Sequence, residues 1–363
     1  MKKYHVLGLM SGSSLDGIDI AHCSFDIDHG QLTSWKLIDA KTIPYSDEWI
    51  IRLKNLPTAS AKELVLADAD LGHTFGESIN SFLQSYRIDY IDLISSHGHT
   101  IFHFPELKST TQIGDGSALV SKTNIDTVTH LRSMDIAFGG QGAPIAPLGD
   151  RYLYPGYDYY LNLGGIANIS ADSPHGEVAF DIVTCNQLLN GIAQEIGLEF
   201  DRDGIEASKG KLIKELLYQL QQDEYLSKKY PKSLDNTWSQ THHVLPTIQW
   251  KANPQDKLFS AVEFIANEIS RSINSIGLDD HGKRLFATGG GALNRYLIKR
   301  IQDYLPKTQV VLPSTSIIQY KEAAFIAFAG LCRYLRIPNL FASVTGAEID
   351  TINGALYTKQ SLV

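Results

Sequence analysis

The sequence contains 29 glycines, most of them in clusters that follow short apolar runs. Glycine at such a position allows a positive φ angle or lets backbone N–H groups approach a ligand closely. The clusters lie at residues 8–17, 98, 114–116, 139–149, 164–165, 204–210 and 289–291. Because these turns come at predicted strand ends, they indicate an α/β protein whose strand-end loops line a ligand cleft.

The apolar periodicity predicts a similar order of elements in both halves of the chain. Strands are predicted over residues 4–10, 17–26, 32–43, 90–95, 158–164, 166–171, 176–183, 284–288 and 308–312. Helices are predicted over residues 59–86, 184–197, 205–222, 255–276, 292–304 and 321–335. Residues 131–150 have no period and several glycines and prolines, so we expect a loop there.

Each half therefore opens with a strand, a glycine-rich turn and a second strand. This order predicts two similarly built α/β lobes with a cleft between them. We expect an N-terminal lobe of residues 1–131, joined by the C-terminal segment 340–363, and a C-terminal lobe of residues 132–339.

Charge and composition exclude several classes of protein. The net charge is −8, and no basic stripe is visible, which argues against nucleic acid or a membrane surface as a partner. The three cysteines, Cys23, Cys185 and Cys332, are too widely spaced for a disulfide framework or a CxxC metal site. The N-terminal apolar run is too short for a signal peptide, so we expect a soluble, cytoplasmic chain.

Two glycine-rich segments are candidate phosphate sites. Residues 10–17 (MSGSSLDG) join two predicted strands and offer backbone N–H and hydroxyl donors, and their Asp16 could hold Mg²⁺ through water. The segment matches neither the P-loop nor the Rossmann pattern, and it could equally be a hairpin turn. Residues 288–294 (TGGGALN) lead from a strand into a helix, where an adenine or phosphate can lie on the backbone. The alternative is that these glycines only form a tight strand-to-helix connection.

Single polar residues give weaker signals. Asp181 ends a predicted strand and could act as a general base, as could Asp203, although a lone Asp is more often a helix cap or turn residue. His97, His99 and His103 have no acidic or cysteine partner, which favours hydrogen bonding over zinc ligation. The alanine-rich helix 321–329 is expected to pack closely against the glycine-rich strands, and Glu322 at its start stays open between a structural and a functional role.

Ten segments together resemble one family, the anhydro-N-acetylmuramic acid kinases of the sugar kinase–actin–chaperone ATPase superfamily. They follow the family's order along nearly the whole chain: GLMSGSSLDGID (8–19), SHGHT (96–100), TQIGD (111–115), DIAFGGQGAP (135–144), NLGGIANIS (162–170), DRDG (201–204), PKS (231–233), ATGGGALN (287–294), KEAAFIAFAG (321–330) and SVTGA (343–347).

The resemblance implies a ribonuclease H-like, actin-like ATPase fold that binds ATP and Mg²⁺ in an interlobe cleft, and a homodimer. It implies a reaction in which water opens the 1,6-anhydro ring while the γ-phosphoryl group passes to O6, giving N-acetylmuramic acid 6-phosphate for cell-wall recycling. The family's catalytic carboxylate falls on Asp181, and His97, Gln141 and Asn186 are candidate sugar contacts. The implied nucleotide-binding residues are Gly12, Ser13, Ser14, Leu15, Asp16, Gly17, Ile18, Asp19, Gly164, Gly165, Gly289, Gly290 and Gly291.

The chain departs from the family's pattern in three places. Residues 181–186 read DIVTCN where the family usually has Asp-Thr-Gly-Pro-x-Asn, so the Asp and Asn are kept. A histidine stands at 99 in place of glutamine, and residues 234–237 (LDNT) replace Thr-Gly-Arg-Glu. Two alternatives therefore stay open: a sugar or amino-sugar kinase with a different acceptor, and a non-catalytic actin-like nucleotide-binding module.

Overall fold

The computed structural model describes residues 1–12, 14–143, 146–173, 176–230, 232–277 and 282–360. Its strands are Lys2–Ser11 (β1), Gly17–Asp28 (β2), Gln31–Pro44 (β3), Leu93–Phe104 (β4), Ser109–Ile113 (β5), Thr127–Thr129 (β6), Tyr159–Leu163 (β7), Ile166–Ser173 (β8), Gly176–Thr184 (β9), Lys283–Thr288 (β10), Thr308–Val311 (β11) and Ala355–Tyr357 (β12).

The helices are Asp47–Asn55 (α1), Ala61–Tyr86 (α2), Gly116–Thr123 (α3), Ser133–Ala137 (α4), Ala146–Leu153 (α5), Asn186–Ala193 (α6), Lys214–Gln221 (α7), Glu224–Ser227 (α8), Asn236–Ser239 (α9), Leu245–Gln249 (α10), Pro254–Ile276 (α11), Arg295–Tyr304 (α12), Thr315–Leu335 (α13) and Ala342–Thr345 (α14). In the described parts of the chain, no helix is long and apolar enough to cross a membrane.

The contacts divide the chain into two compact units. Unit 1 consists of Met1–Pro155 and the residues from Tyr320 onward, and unit 2 of Gly156–Gln319. Both boundaries differ from the expected positions at 131/132 and 339/340. Helix α4 forms within the expected loop 131–150, α5 begins in it, and both belong to unit 1. The second boundary falls inside α13.

The two units have the same strand order. In unit 1, β1, β2 and β3 are antiparallel neighbours, and β4 and then β6 continue the sheet in parallel on the other side of β1. In unit 2, β7, β8 and β9 are antiparallel, and β10 and then β11 continue in parallel beyond β7. Strands β5 and β12 are additions to the first sheet. This arrangement confirms the predicted α/β class with two similarly built halves.

Each sheet is covered by a long amphipathic helix whose pattern was visible in the sequence. In α2, Leu71, Phe75, Ile79 and Phe82 are buried at helical spacing, and Ser60 caps the helix by accepting the Glu63 N–H. In unit 2, α11 buries a stripe made of Val262, Ile265, Ile269, Ile273 and Ile276. Truncating one of the buried phenylalanines to alanine would cost about 3–5 kcal/mol of stability.

Two predicted elements differ in length from the observed ones. Strand β4 was expected to end at residue 95, but it continues through the Ser96–His99 segment to Phe104, because β5 pairs with its second half. The predicted helix over 205–222 is a series of short 3₁₀ turns followed by α7, since Gly204 and Gly210 interrupt the helical backbone.

Candidate functional site

The first glycine turn connects β1 to β2 in unit 1. Within it, the Leu15 N–H donates to the carbonyl of Gly12, and Ser14 donates its hydroxyl to Asp16 at 2.6 Å. A Cβ placed on Gly12 would meet nothing closer than 3.5 Å, so the fold itself does not require glycine there. Ser13 lies outside the described residues. The turn therefore leaves space beside Gly12 for a ligand to approach the backbone.

The end of this turn is already part of the sheet. Gly17 pairs with Pro44, and a Cβ on Gly17 would come within 2.4 Å of the Ile43 carbonyl oxygen, so only glycine fits. The Ile18 side chain is 1% exposed and belongs to the core of unit 1. Ile18 belongs to the expected phosphate-binding stretch 12–19, but it can offer a ligand only its backbone.

The charges of two other carboxylates of unit 1 act on Asp19, which follows this turn. Asp19 is half-buried and accepts a 2.5 Å hydrogen bond from the Thr42 hydroxyl. Burial raises the pKa of Asp19, whereas the hydrogen bond from Thr42 lowers it. The negative charges of Asp16 and Glu322 raise it further. Glu322, whose role the sequence left open, therefore lies near enough to Asp19 to raise its pKa.

His97 is buried beside an arginine. The Arg132 Nε donates to His97 Nε2 at 2.9 Å, so the ring carries its proton on Nδ1, which lies 3.0 Å from the Gly98 carbonyl oxygen. Burial, and next the charge of Arg132, lower the pKa of His97 to about 3. His97 is therefore a neutral side chain that orients Arg132.

His99 also has a hydrogen-bonding role. Its Nδ1 lies 2.8 Å from the Ser11 hydroxyl, which in turn lies 2.7 Å from the Tyr45 hydroxyl. Burial lowers the pKa of His99. Among the described residues, no group of three or more His, Cys, Asp or Glu side chains is arranged to bind a metal by itself.

Gln141 lies on an exposed loop that a buried carboxylate anchors. Asp135 is fully buried, accepts the Gly142 N–H at 2.7 Å through Oδ2, and accepts the Thr345 hydroxyl at 2.7 Å through Oδ1. The Gln141 N–H donates to the Thr345 carbonyl at 2.9 Å. The pattern of residues 131–150 does not show this anchor, because Asp135 and Thr345 lie far apart along the chain.

Unit 2 brings its two glycine turns together. The Asn186 N–H donates to the Gly164 carbonyl, and the side-chain amide of Asn186 donates to the Leu163 carbonyl at 2.9 Å. Gly291 fits against the same asparagine, since a Cβ on Gly291 would lie 3.0 Å from Asn186 Oδ1. Asn186, expected to contact sugar, thus holds turn 164–165 beside the 289–291 turn.

The 289–291 turn has a backbone that needs glycine. Gly289 has φ 82° and ψ 166°, and a Cβ there would lie 2.7 Å from the Leu163 carbonyl carbon. A short 3₁₀ turn follows, and Asn294 caps α12 by accepting the Leu297 N–H. Gly290 is exposed, with no atom closer than 3.7 Å to a Cβ placed on it, so its surface is open to a ligand.

Asp181 lies on β9, at the edge of the described sheet of unit 2. Its Oδ2 accepts the Leu234 N–H at 2.9 Å, and no described residue donates to Oδ1. Burial raises the pKa of Asp181, and the Leu234 hydrogen bond offsets part of this rise. A half-buried carboxylate with one oxygen held and a raised pKa is suited to accept a proton.

Several residues around Asp181 were missed by the sequence reasoning. Tyr225 donates its hydroxyl to the Asp181 carbonyl at 2.6 Å, and Thr184, on the same strand, lies 2.7 Å from Nδ1 of the buried His243. The adjacent His242–His243 pair has no spacing that would have identified it. Asp203, the alternative base, faces Arg295 at 3.3 Å on the surface instead.

The alanine-rich helix has the structural role that was expected. A Cβ on Gly8 of β1 would lie 1.8 Å from the Ala323 carbonyl oxygen and 2.7 Å from the Ala327 nitrogen. Small residues on both elements are therefore needed for this close packing.

Known proteins resemble the chain over nearly its whole length. The family model described as anhydro-N-acetylmuramic acid kinase matches residues 4–359. Proteins of that name are 32% identical in Mannheimia succiniciproducens (99% of this chain, 100% of the relative), 33% in Aliivibrio fischeri (98% and 99%) and 34% in Shewanella amazonensis (97% and 98%).

Solved structures match less closely. The activator of 2-hydroxyisocaproyl-CoA dehydratase from Clostridium difficile, with bound ADPNP, is 12% identical over 92% of this chain and 97% of its own, with a TM-score of 0.44. This score is too low to support an inference about the present chain.

Proposed function

The chain belongs to the anhydro-N-acetylmuramic acid kinase family, and we propose that it phosphorylates 1,6-anhydro-N-acetylmuramic acid with ATP while water opens the anhydro bridge. The product is N-acetylmuramic acid 6-phosphate. The family match over nearly the whole chain carries this proposal, and the setting of Asp181 supports the chemistry.

Asp181 is the proposed general base. Its Oδ2 is occupied by the Leu234 N–H, so Oδ1 is the oxygen that takes a proton from water. The hydroxide oxygen bonds to C1, the C1–O6 bond breaks, and O6 bonds to the γ-phosphorus as the bond between the γ-phosphorus and the β–γ bridging oxygen breaks. ADP leaves with that oxygen, and the proton on Asp181 passes to solvent.

The glycine turns are the proposed ATP contacts. In unit 1, the turn from Gly12 to Gly17 offers backbone N–H groups to phosphate oxygens, and the open space beside Gly12 supports such an approach. In unit 2, the exposed Gly290 offers open backbone for the nucleoside, and Gly164 and Gly165 are proposed to contact the nucleotide as well. Phosphoryl transfer depends mainly on such positioning and charge neutralisation.

The carboxylates of the first turn fit a Mg²⁺ ion that accompanies ATP. Burial, and after it the charges of Asp16 and Glu322, raise the pKa of Asp19, and a bound cation would stabilise its ionised form. Mg²⁺ in kinases needs only one or two carboxylates besides phosphate and water. When bound, it would neutralise charge on the phosphates. Asp19→Asn should therefore raise the Mg²⁺ concentration that gives half-maximal rate, and an unchanged requirement would contradict the assignment.

Gln141 is the proposed contact to the sugar, and His97 is proposed to act at the sugar site through Arg132. His97 holds Arg132 in place, and Gln141 is exposed on a loop fixed by Asp135. Asn186 is proposed to act indirectly, because its side-chain amide is bonded to the Leu163 carbonyl.

Mass analysis of the product made in ¹⁸O-labelled water tests the reaction. We expect one phosphate added to the anhydro sugar and one ¹⁸O at C1, with no label in the phosphate. Label released as inorganic phosphate, or turnover of an ordinary hexosamine without turnover of the anhydro sugar, would contradict the proposal. Assays of ATP with other sugars and amino sugars distinguish the two alternatives. A kinase with another acceptor phosphorylates one of them, whereas a non-catalytic nucleotide-binding module phosphorylates none.

We further propose that the chain acts in the cytoplasm, as a homodimer, in the recycling of cell-wall sugars. Light scattering on the purified chain would test the dimer, and a single-chain mass would contradict it. Loss of growth on the anhydro sugar in a deletion strain would support the recycling role.

A further inference from the structure

The segment of residues 223–243, apart from Pro231, which the structure does not describe, contacts β9 at both Asp181 and Thr184. We propose that this segment is a positioning clamp that fixes the direction of the Asp181 carboxylate through Tyr225 and through the Thr184–His243–Asp223 chain. The inference rests on the proposed role of Asp181 as the general base.

Asp181 needs external support because of where it lies in the sheet. Strand β9 is at the edge of the described sheet, and its pairing with β8 shifts register between Ala167 and Asn168, next to the pair of Asn168 with Asp181. An edge strand has unpaired backbone groups, and a bulge redirects the neighbouring side chain. Without a partner on its outer side, the Asp181 backbone would be poorly constrained.

The clamp supplies that partner through three hydrogen bonds. Tyr225 donates to the Asp181 carbonyl at 2.6 Å, and the Asp181 N–H donates to the Lys232 carbonyl at 3.2 Å. The third bond, from the Leu234 N–H to Oδ2, fixes the carboxylate itself. Backbone and side chain are therefore held by one segment, and only Oδ1 is left to accept a proton from water.

A buried chain of polar groups attaches the same segment to β9 three residues further on. His243 and Thr184 are both fully buried, and His243 Nε2 lies 2.8 Å from Asp223 Oδ2. On the other side of the ring, His243 Nδ1 lies 2.7 Å from the Thr184 hydroxyl. The sheet end beyond Asp181 is thus held in a defined position.

Asp223 connects the two attachment points. It caps the short helix α8 by accepting the Tyr225 N–H at 2.9 Å, and it also accepts the Trp238 indole N–H at 3.0 Å. Burial alone would raise the pKa of Asp223, but the hydrogen bonds from His243, Trp238 and Tyr225 outweigh it and lower that pKa to about 2. Asp223 therefore stays ionised and keeps Tyr225 and His243 in fixed relation.

The first test removes the Tyr225 hydroxyl. Tyr225→Phe should lower kcat about 10- to 100-fold, because a misplacement of about 1 Å costs that much, while KM for ATP and sugar stays unchanged. Tyr218→Phe, at an exposed tyrosine of the same unit, should match the wild type. In an Asp181→Asn background, Tyr225→Phe should cause no further loss, because its effect passes through Asp181. An equal loss in both backgrounds, or no loss at all, would overturn the clamp.

The second test concerns the Thr184 hydroxyl. Thr184→Val should lower kcat, and Thr184→Ser should restore it, because only the hydroxyl reaches His243. A valine variant with wild-type kcat, or a serine variant as slow as the valine variant, would overturn the role of this chain.

Hydrogen exchange gives a readout that does not need activity. The Leu234 amide should exchange at least about tenfold faster in both Tyr225→Phe and Thr184→Val, because its acceptor is no longer fixed. Unchanged exchange of the Leu234 amide refutes the clamp, whatever the activity of the wild type. A wild type that fails to phosphorylate the anhydro sugar refutes only the proposed function. If Asp181→Asn is inactive while Tyr225→Phe and Thr184→Val both keep the wild-type kcat, the proposed function stands and the clamp is refuted.

Discussion

The first turns of the two units occupy the same place in the same strand order but are built differently. In unit 1, hydrogen bonds within the turn join Leu15 to Gly12 and Ser14 to Asp16, and a Cβ on Gly12 would have room. In unit 2, the corresponding turn is Gly164–Gly165, whose carbonyls accept the N–H groups of Cys185, Asn186 and Gln187.

The difference separates two uses of glycine. In unit 2, glycine allows strands and helix α6 to meet, so the turns are part of the scaffold beside Asp181. In unit 1, no close contact requires glycine at position 12, and a Cβ there would have room. The same strand order therefore supports the proposed base Asp181 in unit 2 and leaves open backbone beside Gly12 in unit 1.

The largest expected effect is on the base of unit 2. Asp181→Asn should lower the rate of sugar phosphorylation by about 10²-fold or more, because an amide cannot take the proton from water. ATP affinity should stay unchanged in calorimetry, since no nucleotide contact is removed. A variant with wild-type turnover would remove Asp181 from the mechanism.

The next effect concerns stability at the second glycine turn. Gly289→Ala should cost about 1–3 kcal/mol in the free energy of unfolding, because φ 82° with ψ 166° is a region open almost only to glycine. Denaturant unfolding measures this cost. Gly12→Ala is the matched control and should be nearly neutral, so equal costs at both sites would erase the contrast between the turns.

A smaller effect is expected on ATP binding at the first turn. Gly12→Val should weaken ATP affinity about tenfold, or about 1.4 kcal/mol, because the side chain fills the space where phosphate meets the backbone. Its free energy of unfolding should remain near the wild-type value. Calorimetry that finds the same affinity, with the fold intact, would place the phosphates elsewhere.

The smallest effect is a shift in the pH profile. Burial raises the pKa of Asp181, so kcat/KM should fall, as pH decreases, at a higher pH than an ordinary Asp at about 3.9 would give. His97 in unit 1 should add no step, because its pKa is about 3 and the ring stays neutral throughout. A second step near the ordinary pKa of histidine, abolished by His97→Gln, would contradict this.

Sequence reasoning worked best where the pattern was local. The buried apolar run of β1, the alternation of β2 and the helical stripe of α11 all follow from neighbours along the chain. It failed for residues 131–150, where α4 and α5 form. The anchor of that region is the bond of Asp135 to Thr345, which no local pattern can reveal.

By itself, the sequence determined the family, the α/β class and the glycine turns, because motifs and periodicity depend on residue type and spacing. Only the tertiary structure decided which polar groups meet: Tyr225 with Asp181, His243 with Thr184, and Asn186 with the Leu163 carbonyl. These contacts join residues separated by more than 20 positions, and they exist because folding buries polar groups that must then find partners.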